Sequence, residues 1–189
     1  MPTSRATPEF QGTVFSQKSV GRGEYENCSF DRCTSAGTGL PESRFIDCEF
    51  RDCDLSLVKI SGAAFRGVRF IGCKLVGVRF DECNKLGFSV AFRSCGLKLS
   101  SFSGLNLKKV RFEQCSLLEV DFAESDLTGA IFDDCDLLGA VFRKSNLERA
   151  DFRRAYNYSL DPGLNRVMKA RFSLAGVPGL LEKYDIVIE

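Results

Sequence analysis

A large apolar side chain returns at every fifth residue over most of this chain, an interval that fits neither the turn of an amphipathic helix nor the alternation of a half-buried strand. The series Phe45, Phe50, Leu55, Ile60, Phe65, Phe70, Leu75 and Phe80 breaks once. It resumes as Phe92, Leu97, Phe102, Leu107, Phe112, Leu117, Phe122, Leu127, Phe132, Leu137, Phe142, Leu147 and Phe152. Phe80 and Phe92 stand twelve residues apart where ten would keep time, so the stretch RFDECNKLGFSVAF carries an insertion of two residues near 84–88. A chain with such a beat is an internal repeat and has to be read unit by unit.

Two positions before each large residue stands a small one. Every cysteine of the chain occupies this slot: Cys28, Cys33, Cys48, Cys53, Cys73, Cys83, Cys95, Cys115 and Cys135. Val58, Ala63, Val68, Val78, Val120, Ala130 and Ala150 are among those that share it. The positions between are mostly Arg, Asp, Glu, Lys, Ser, Asn and Gly. The unit is therefore A(D/N)LXX, plainest in Ala150-Asp151-Phe152-Arg153-Arg154 and Cys135-Asp136-Leu137-Leu138-Gly139.

Held from Phe10 to Tyr156, this pattern resembles the pentapeptide-repeat protein family. The resemblance implies an all-β fold, a right-handed quadrilateral β-helix (a pentapeptide-repeat solenoid) in which four units make the four sides of one coil. Stacked positions must then recur every twenty residues, and Phe10, Phe30, Phe50 and Phe70 do so. With two residues subtracted, the column continues through Phe92, Phe112, Phe132, Phe152 and Phe172. A second column reads Leu55, Leu75, Leu97, Leu117, Leu137, beside a file of Cys33, Cys53, Cys73, Cys95, Cys115 and Cys135. Neither survives without the correction, so the insertion reads as a loop extruded from one corner, made of Lys85, Leu86 and Phe88, with Lys85 and Phe88 as its exposed contacts and, as the alternative, Leu86 or Phe88 refilling the corner. At roughly 4.8 Å per coil, the steps from Phe10 to Phe172 make a rod about 38 Å long. Glycines two positions after the large residue, such as Gly62, Gly72 and Gly139, answer the tight corners. The stretch SAGTGLP, Ser35 to Pro41, keeps phase but loses its large residue at Ser35.

Little in the chain suggests chemistry. It has no histidine, the commonest partner of a serine or cysteine nucleophile, and neither a phosphate-cradling glycine loop nor a Cys-x-x-Cys pair. The expected protein is therefore not an enzyme, with no cofactor, no metal and no small-molecule substrate. The cysteines read as small hydrophobes of a packed file, although stacked slots leave a disulfide or redox role open. No run approaches a membrane span or a signal peptide, so the expected location is the cytoplasm. The net charge of +1 is no basis for direct nucleic-acid binding.

Charge is nevertheless unevenly placed. Between 113 and 139 stand eight acids, Glu113, Glu119, Asp121, Glu124, Asp126, Asp133, Asp134 and Asp136, and no base. Between 51 and 112 stand twelve bases and four acids. After Phe152 the beat decays, and GVPGLLEKYDIVIE reads as a short helix entered at Pro178 and ended near Tyr184, then an apolar strand over 185–189. The chain divides into an extension over 1–9, repeats over 10–174 and a capping and dimerisation tail over 175–189. This tail resembles those of the Qnr quinolone-resistance proteins and the microcin-immunity protein McbG. That resemblance implies a homodimer joined through Leu180, Leu181, Tyr184, Ile186 and Ile188. It also implies a protein imitation of DNA that binds DNA gyrase or topoisomerase IV through the acidic belt and protects it from quinolones or peptide toxins. The alternatives are a monomer whose helix covers its own core, and a repeat scaffold with an unrelated protein partner.

Overall fold

The computed structural model describes residues 9–11, 23–35, 39–40 and 42–188. Among them ten short strands form: β1 (Glu9–Gln11), β2 (Glu24–Glu26), β3 (Ser29–Asp31), β4 (Arg44–Ile46), β5 (Glu49–Arg51), β6 (Ala64–Arg66), β7 (Val68–Ile71), β8 (Val90–Arg93), β9 (Arg111–Glu113) and β10 (Ile131–Asp133). All pairing is parallel, in the orders β1-β3-β5-β7-β8-β9-β10 and β2-β4-β6. Phe10, Phe30, Phe50, Phe70, Phe92, Phe112 and Phe132 are successive register partners. The coil is therefore a four-sided solenoid, and the inserted pair is absorbed between β7 and β8, where Val68 faces Val90 and Phe70 faces Phe92. Farther along, the stacking continues as single bridges such as Asp126 to Asn146 and Asp151 to Arg171. The expected extension over 1–9 lies outside the described residues apart from Glu9, which already pairs with Ser29.

The five-residue beat produces this coil because the large residue and the small residue two before it both point inward. Phe30, Phe50, Phe70, Phe92, Phe112 and Phe132 are all buried, as are Cys33, Cys53, Cys73, Cys95, Cys115 and Cys135. Each fully buried Phe or Leu contributes about 1.5–3 kcal/mol. Rings in the first column stack at centroid separations such as 5.2 Å for Phe70 on Phe92 and 5.3 Å for Phe112 on Phe132. That stack is not alone. Near the amino end it meets a second, Tyr25, Phe45 and Phe65, edge to face or tilted, and from the coil that carries the loop onward it meets a third, Phe80, Phe102, Phe122 and Phe142. With the faces counted in chain order from the one that carries Phe30, Phe50, Phe70 and Phe92, the aromatic partner thus moves from the fourth face to the third at the height where the loop interrupts the fourth.

The second residue after most of the large ones turns the corner at positive φ, Glu82 and Arg154 being exceptions. Glycine is not required there: Asp47, Asp52, Leu57, Lys109 and Glu119 adopt the same left-handed conformation as Gly72 and Gly139. Such backbone is costly for an L-residue in isolation, and here the hydrogen bonds to the next coil on both sides of the corner hold it. Glu119, for example, donates its N–H to Leu138 O at 2.8 Å. Ser35 is buried in place of the missing large residue, and 36–38 and 41 lie outside the described residues.

The tail departs from its reading. Its helical part consists of two 3-10 segments, Leu174–Leu180 and Glu182–Tyr184, with Pro178 inside the first rather than at its start. Ser173 starts the turn earlier by accepting the Gly176 N–H at 3.1 Å. Gly176 and Gly179 lie so close to Tyr158 that a Cβ at Gly179 would fall 2.1 Å from the Tyr158 carbonyl oxygen. Among the described residues no strand forms over 185–188, and Asp185 turns the chain at a φ of 50°. After Phe152 the beat slips by one residue, since Tyr158 is the next large buried side chain and packs on Phe152 and Phe172. Lys183 ties the cap back to Asp161 at 2.6 Å.

Candidate functional site

Among the described residues the interior is filled by side chains. A void of about 10 Å³ near Leu55, Phe70 and Phe80 is too small for a ligand. All nine thiols are free, and those of the file donate to backbone carbonyls, as Cys73 does to Phe50 O at 3.3 Å and Cys135 to Phe112 O at 3.3 Å. Burial and the neighbouring thiols of the file push Cys95 and Cys115 up to about 12. A thiol held that firmly protonated is a poor nucleophile. Polar and exposed apolar side chains lie on the outer faces, the loop and the tail, and among the described residues no helix is long and apolar enough to cross a membrane.

The eight acids do not gather on one side. They encircle two successive coils: Glu113 and Asp133 flank first-face phenylalanines, Asp136 lies on the second face, Asp121 on the third and Asp126 on the fourth, with Glu119, Glu124 and Asp134 at corners. Four of them meet bases. Glu113 accepts from Arg93 at 2.8 Å and Arg111 at 2.9 Å, which hold its carboxyl below the usual range, while Glu119 meets Lys98 at 3.4 Å, Asp126 meets Lys108 at 3.3 Å and Asp133 meets Arg154 at 3.1 Å. Asp121 and Asp136 instead accept backbone N–H groups two residues on, from Ala123 at 2.8 Å and Leu138 at 3.2 Å. Density of acids along the chain therefore marks a girdle, and its charge is partly balanced by bases of neighbouring coils.

In the loop, the three residues play different parts. Leu86 is 74% exposed and Lys85 reaches only to Gly104 O at 3.5 Å, whereas Phe88 is half-buried against Phe65 and Phe80 at centroid distances of 6.5 and 6.3 Å. Phe88 refills the fourth column that the insertion emptied, so it is a core residue more than a contact residue. Gly87 at a φ of 72° brings the chain back inward. Truncating Phe88→Ala is expected to lower stability by about 1–3 kcal/mol, whereas Leu86→Ser stays within about 0.5 kcal/mol. Urea denaturation followed by circular dichroism checks both, and equal effects would refute this division.

At the tail, Leu181, Ile186 and Ile188, with Pro178, Gly179 and Glu182, line an open cleft of about 350 Å³. Ile186 and Ile188 are each about half exposed, and Val187 beside them is 85% exposed. Leu180 packs inward on the core instead, and Tyr184 lies beneath the Lys183 ammonium at 4.7 Å. The five residues expected at one interface thus split between the cap's inner and outer surfaces.

Two structures of the plasmid-mediated fluoroquinolone resistance protein QnrB1 are similar. A trypsin-treated variant is 20% identical with a TM-score of 0.47, covering 97% of this chain and 98% of that one. The full-length protein is 19% identical with a TM-score of 0.42, covering 95% and 98%. HetL, a pentapeptide repeat protein involved in heterocyst differentiation regulation from Nostoc sp. strain PCC 7120, is 17% identical with a TM-score of 0.37, covering 88% and 87%. No curated protein matches in sequence. The sequence model described as "Pentapeptide repeat region" matches residues 43–122 and 105–159, most of the coiled stretch. With parallel coils stacked at twenty-residue intervals and small and large inward slots alternating along every side, this chain belongs to the pentapeptide-repeat family.

Proposed function

We propose that this protein is a non-catalytic binding rod that pairs tail to tail with a second copy. As that two-fold rod it occupies the DNA site of a type II topoisomerase, DNA gyrase or topoisomerase IV, and shields it from quinolones or peptide toxins. The exposed apolar tail carries the reading: Ile186, Val187 and Ile188 stand in water on a segment of strand length that pairs with no strand among the described residues. A second copy offers that segment an edge and covers its side chains. The resemblance of the tail to the Qnr and McbG proteins supplies the choice of enzyme. In such a dimer, Asp121, Glu124, Asp134 and Asp136, which make no ion pair among the described residues, ring the rod a few coils from its centre. A basic saddle on the enzyme would meet them there.

Sedimentation velocity and a gyrase supercoiling assay with and without ciprofloxacin test the two halves separately. A dimer is expected, with Ile186→Asp/Ile188→Asp giving a folded monomer. The wild-type protein is expected to inhibit supercoiling or protect it from the drug at micromolar concentration, and the monomeric variant to do neither. A wild-type monomer would remove the pairing. A dimer without effect on the enzyme would leave the second reading, a repeat scaffold for another protein, which the bases set among the acids of the girdle favour.

A further inference from the structure

Four consecutive strands of the first face carry an ordered set of charges that the topoisomerase reading does not use. Around the buried phenylalanines the outward residues read Glu49 and Arg51 on β5, Arg69 and Ile71 on β7, Ala91 and Arg93 on β8, and Arg111 and Glu113 on β9. The order reverses about the β7–β8 boundary, so that two Arg-Glu-Arg triads face each other across Ile71 and Ala91. Glu49 holds Arg51 and, at 3.0 Å, Arg69; Glu113 holds Arg93 at 2.8 Å and Arg111 at 2.9 Å. Arg69 leans toward one end of the rod and Arg93 toward the other. Between them an open cleft of about 540 Å³ is floored by Ile71, Ala91 and the strand backbone.

The hydrogen bonding within the triads decides what this cleft can bind. In all four pairs the contact runs through Nε, and among the described residues no hydrogen bond engages a terminal Nη of these arginines. Arg79 and Arg153 are different, since each gives both Nε and Nη2 to the carboxylate two residues away. The two glutamates are therefore side-chain supports: mostly covered themselves, they fix the four guanidiniums and leave the paired Nη donors for a ligand. Four guanidiniums against two carboxylates give the cleft a net charge of +2. A guanidinium edge matches an oxyanion, carboxylate or phosphate, in plane and spacing.

From this geometry we infer that the first face, between Glu49 and Glu113, docks an extended acidic segment of a partner protein, with one apolar side chain over Ile71 and Ala91 and a carboxylate on either side of it. Arg69 and Arg93 take one carboxylate each. A long polyanion suits the face less well, because the basic stretch spans only three coil steps, roughly 14 Å. Asp31 on β3 and Asp133 on β10 stand at its two ends. Nucleic acid running along the rod would meet both.

Fluorescence anisotropy with a labelled Gly-Gly-Glu-Glu-Leu-Glu-Glu-Gly peptide, its Gln-for-Glu analogue and a labelled duplex oligonucleotide tests this. The acidic peptide is expected to bind with a sub-millimolar Kd at ~50 mM salt, to weaken as salt screens the pairs, and to bind at least about tenfold more tightly than the Gln analogue. Arg69→Ala/Arg93→Ala is expected to lose about tenfold or more. Ala91→Glu, which places a carboxylate between Arg69 and Arg111 without removing any supporting contact, is expected to do the same in a protein of unchanged melting temperature. Arg153→Ala/Arg154→Ala, farther along the rod, is expected to bind as the wild type does. Absence of binding by the acidic peptide at millimolar concentration would overturn the inference, as would equal losses in the distant control. Tighter binding of the duplex through the same arginines would replace the acidic segment with nucleic acid. None of these outcomes depends on the gyrase assay.

Discussion

Raising the pH from about 8 to about 10.5 is expected to unfold the rod cooperatively, because the buried thiols cannot release their protons without leaving the core. Burial pushes Cys48 up to about 11 and Cys83 to about 12. Hydrogen bonding within the thiol file, together with burial, does the same for Cys73, Cys95 and Cys115, which reach about 12. In the open chain each titrates near its ordinary value of 9.0. Above that value the unfolded chain holds fewer protons than the folded one, so every further pH unit favours unfolding until the folded thiol itself titrates. Each buried thiol whose folded value lies above 9.0 adds to that slope, so the loss steepens with the number of such thiols. The urea midpoint, followed by far-ultraviolet circular dichroism because the chain has no tryptophan, should be level below pH ~8.5 and fall steeply above it. Cys95→Ala/Cys115→Ala should flatten part of that fall, since Ala already fills equivalent slots at Ala63, Ala130 and Ala150. A midpoint that stays level to pH ~10.5 in the wild type would show that the file is open to solvent.

The same file shows why so much of the fold was legible. A five-residue beat with twenty-residue recurrence leaves one arrangement that buries every large residue, so the pairing of Phe70 with Phe92 follows from counting alone. Counting does not say which residue fills a gap. The insertion could be located to 84–88, but that Phe88 turns inward depends on the space left above Phe65, a property of packing. The girdle is a similar case. Eight acids in a row of repeats look like a surface field when read along the chain, yet their neighbours in space lie on adjacent coils, and Arg93 faces Glu113. The triads of the first face were hidden for the same reason. Their residues lie on four separate strands and become neighbours only when the coils are aligned. The tail was the least legible part, because beyond the last coil no period constrains it. Short-range interactions decide there, namely the Ser173 cap and the close approach of Gly176 and Gly179 to Tyr158.

Phe112→Ala is expected to cost about 3–5 kcal/mol, the range for emptying a fully buried aromatic site. The ring is stacked between Phe92 at 5.2 Å and Phe132 at 5.3 Å and meets Phe102 and Phe122 edge to face at 5.9 and 5.7 Å. Its removal therefore breaks contacts with the coils on both sides as well as within its own. In a solenoid the stability is close to a sum over coils and their interfaces, so a defect in the middle separates two shorter rods, each with a newly weakened end. The same truncation at Phe172 touches Phe152 at 5.3 Å and Tyr158 at 5.8 Å, and there the ring is only half-buried. It is expected to cost about 1–2 kcal/mol. By the usual scaling, the central variant should melt on the order of 10 °C below the wild type and the terminal one within about 5 °C. Calorimetry should also find the central variant broader, because two half-rods no longer unfold together. Equal losses at the two positions would mean that the coils do not lean on one another, and that the continuous ring stack contributes no more than its separate members.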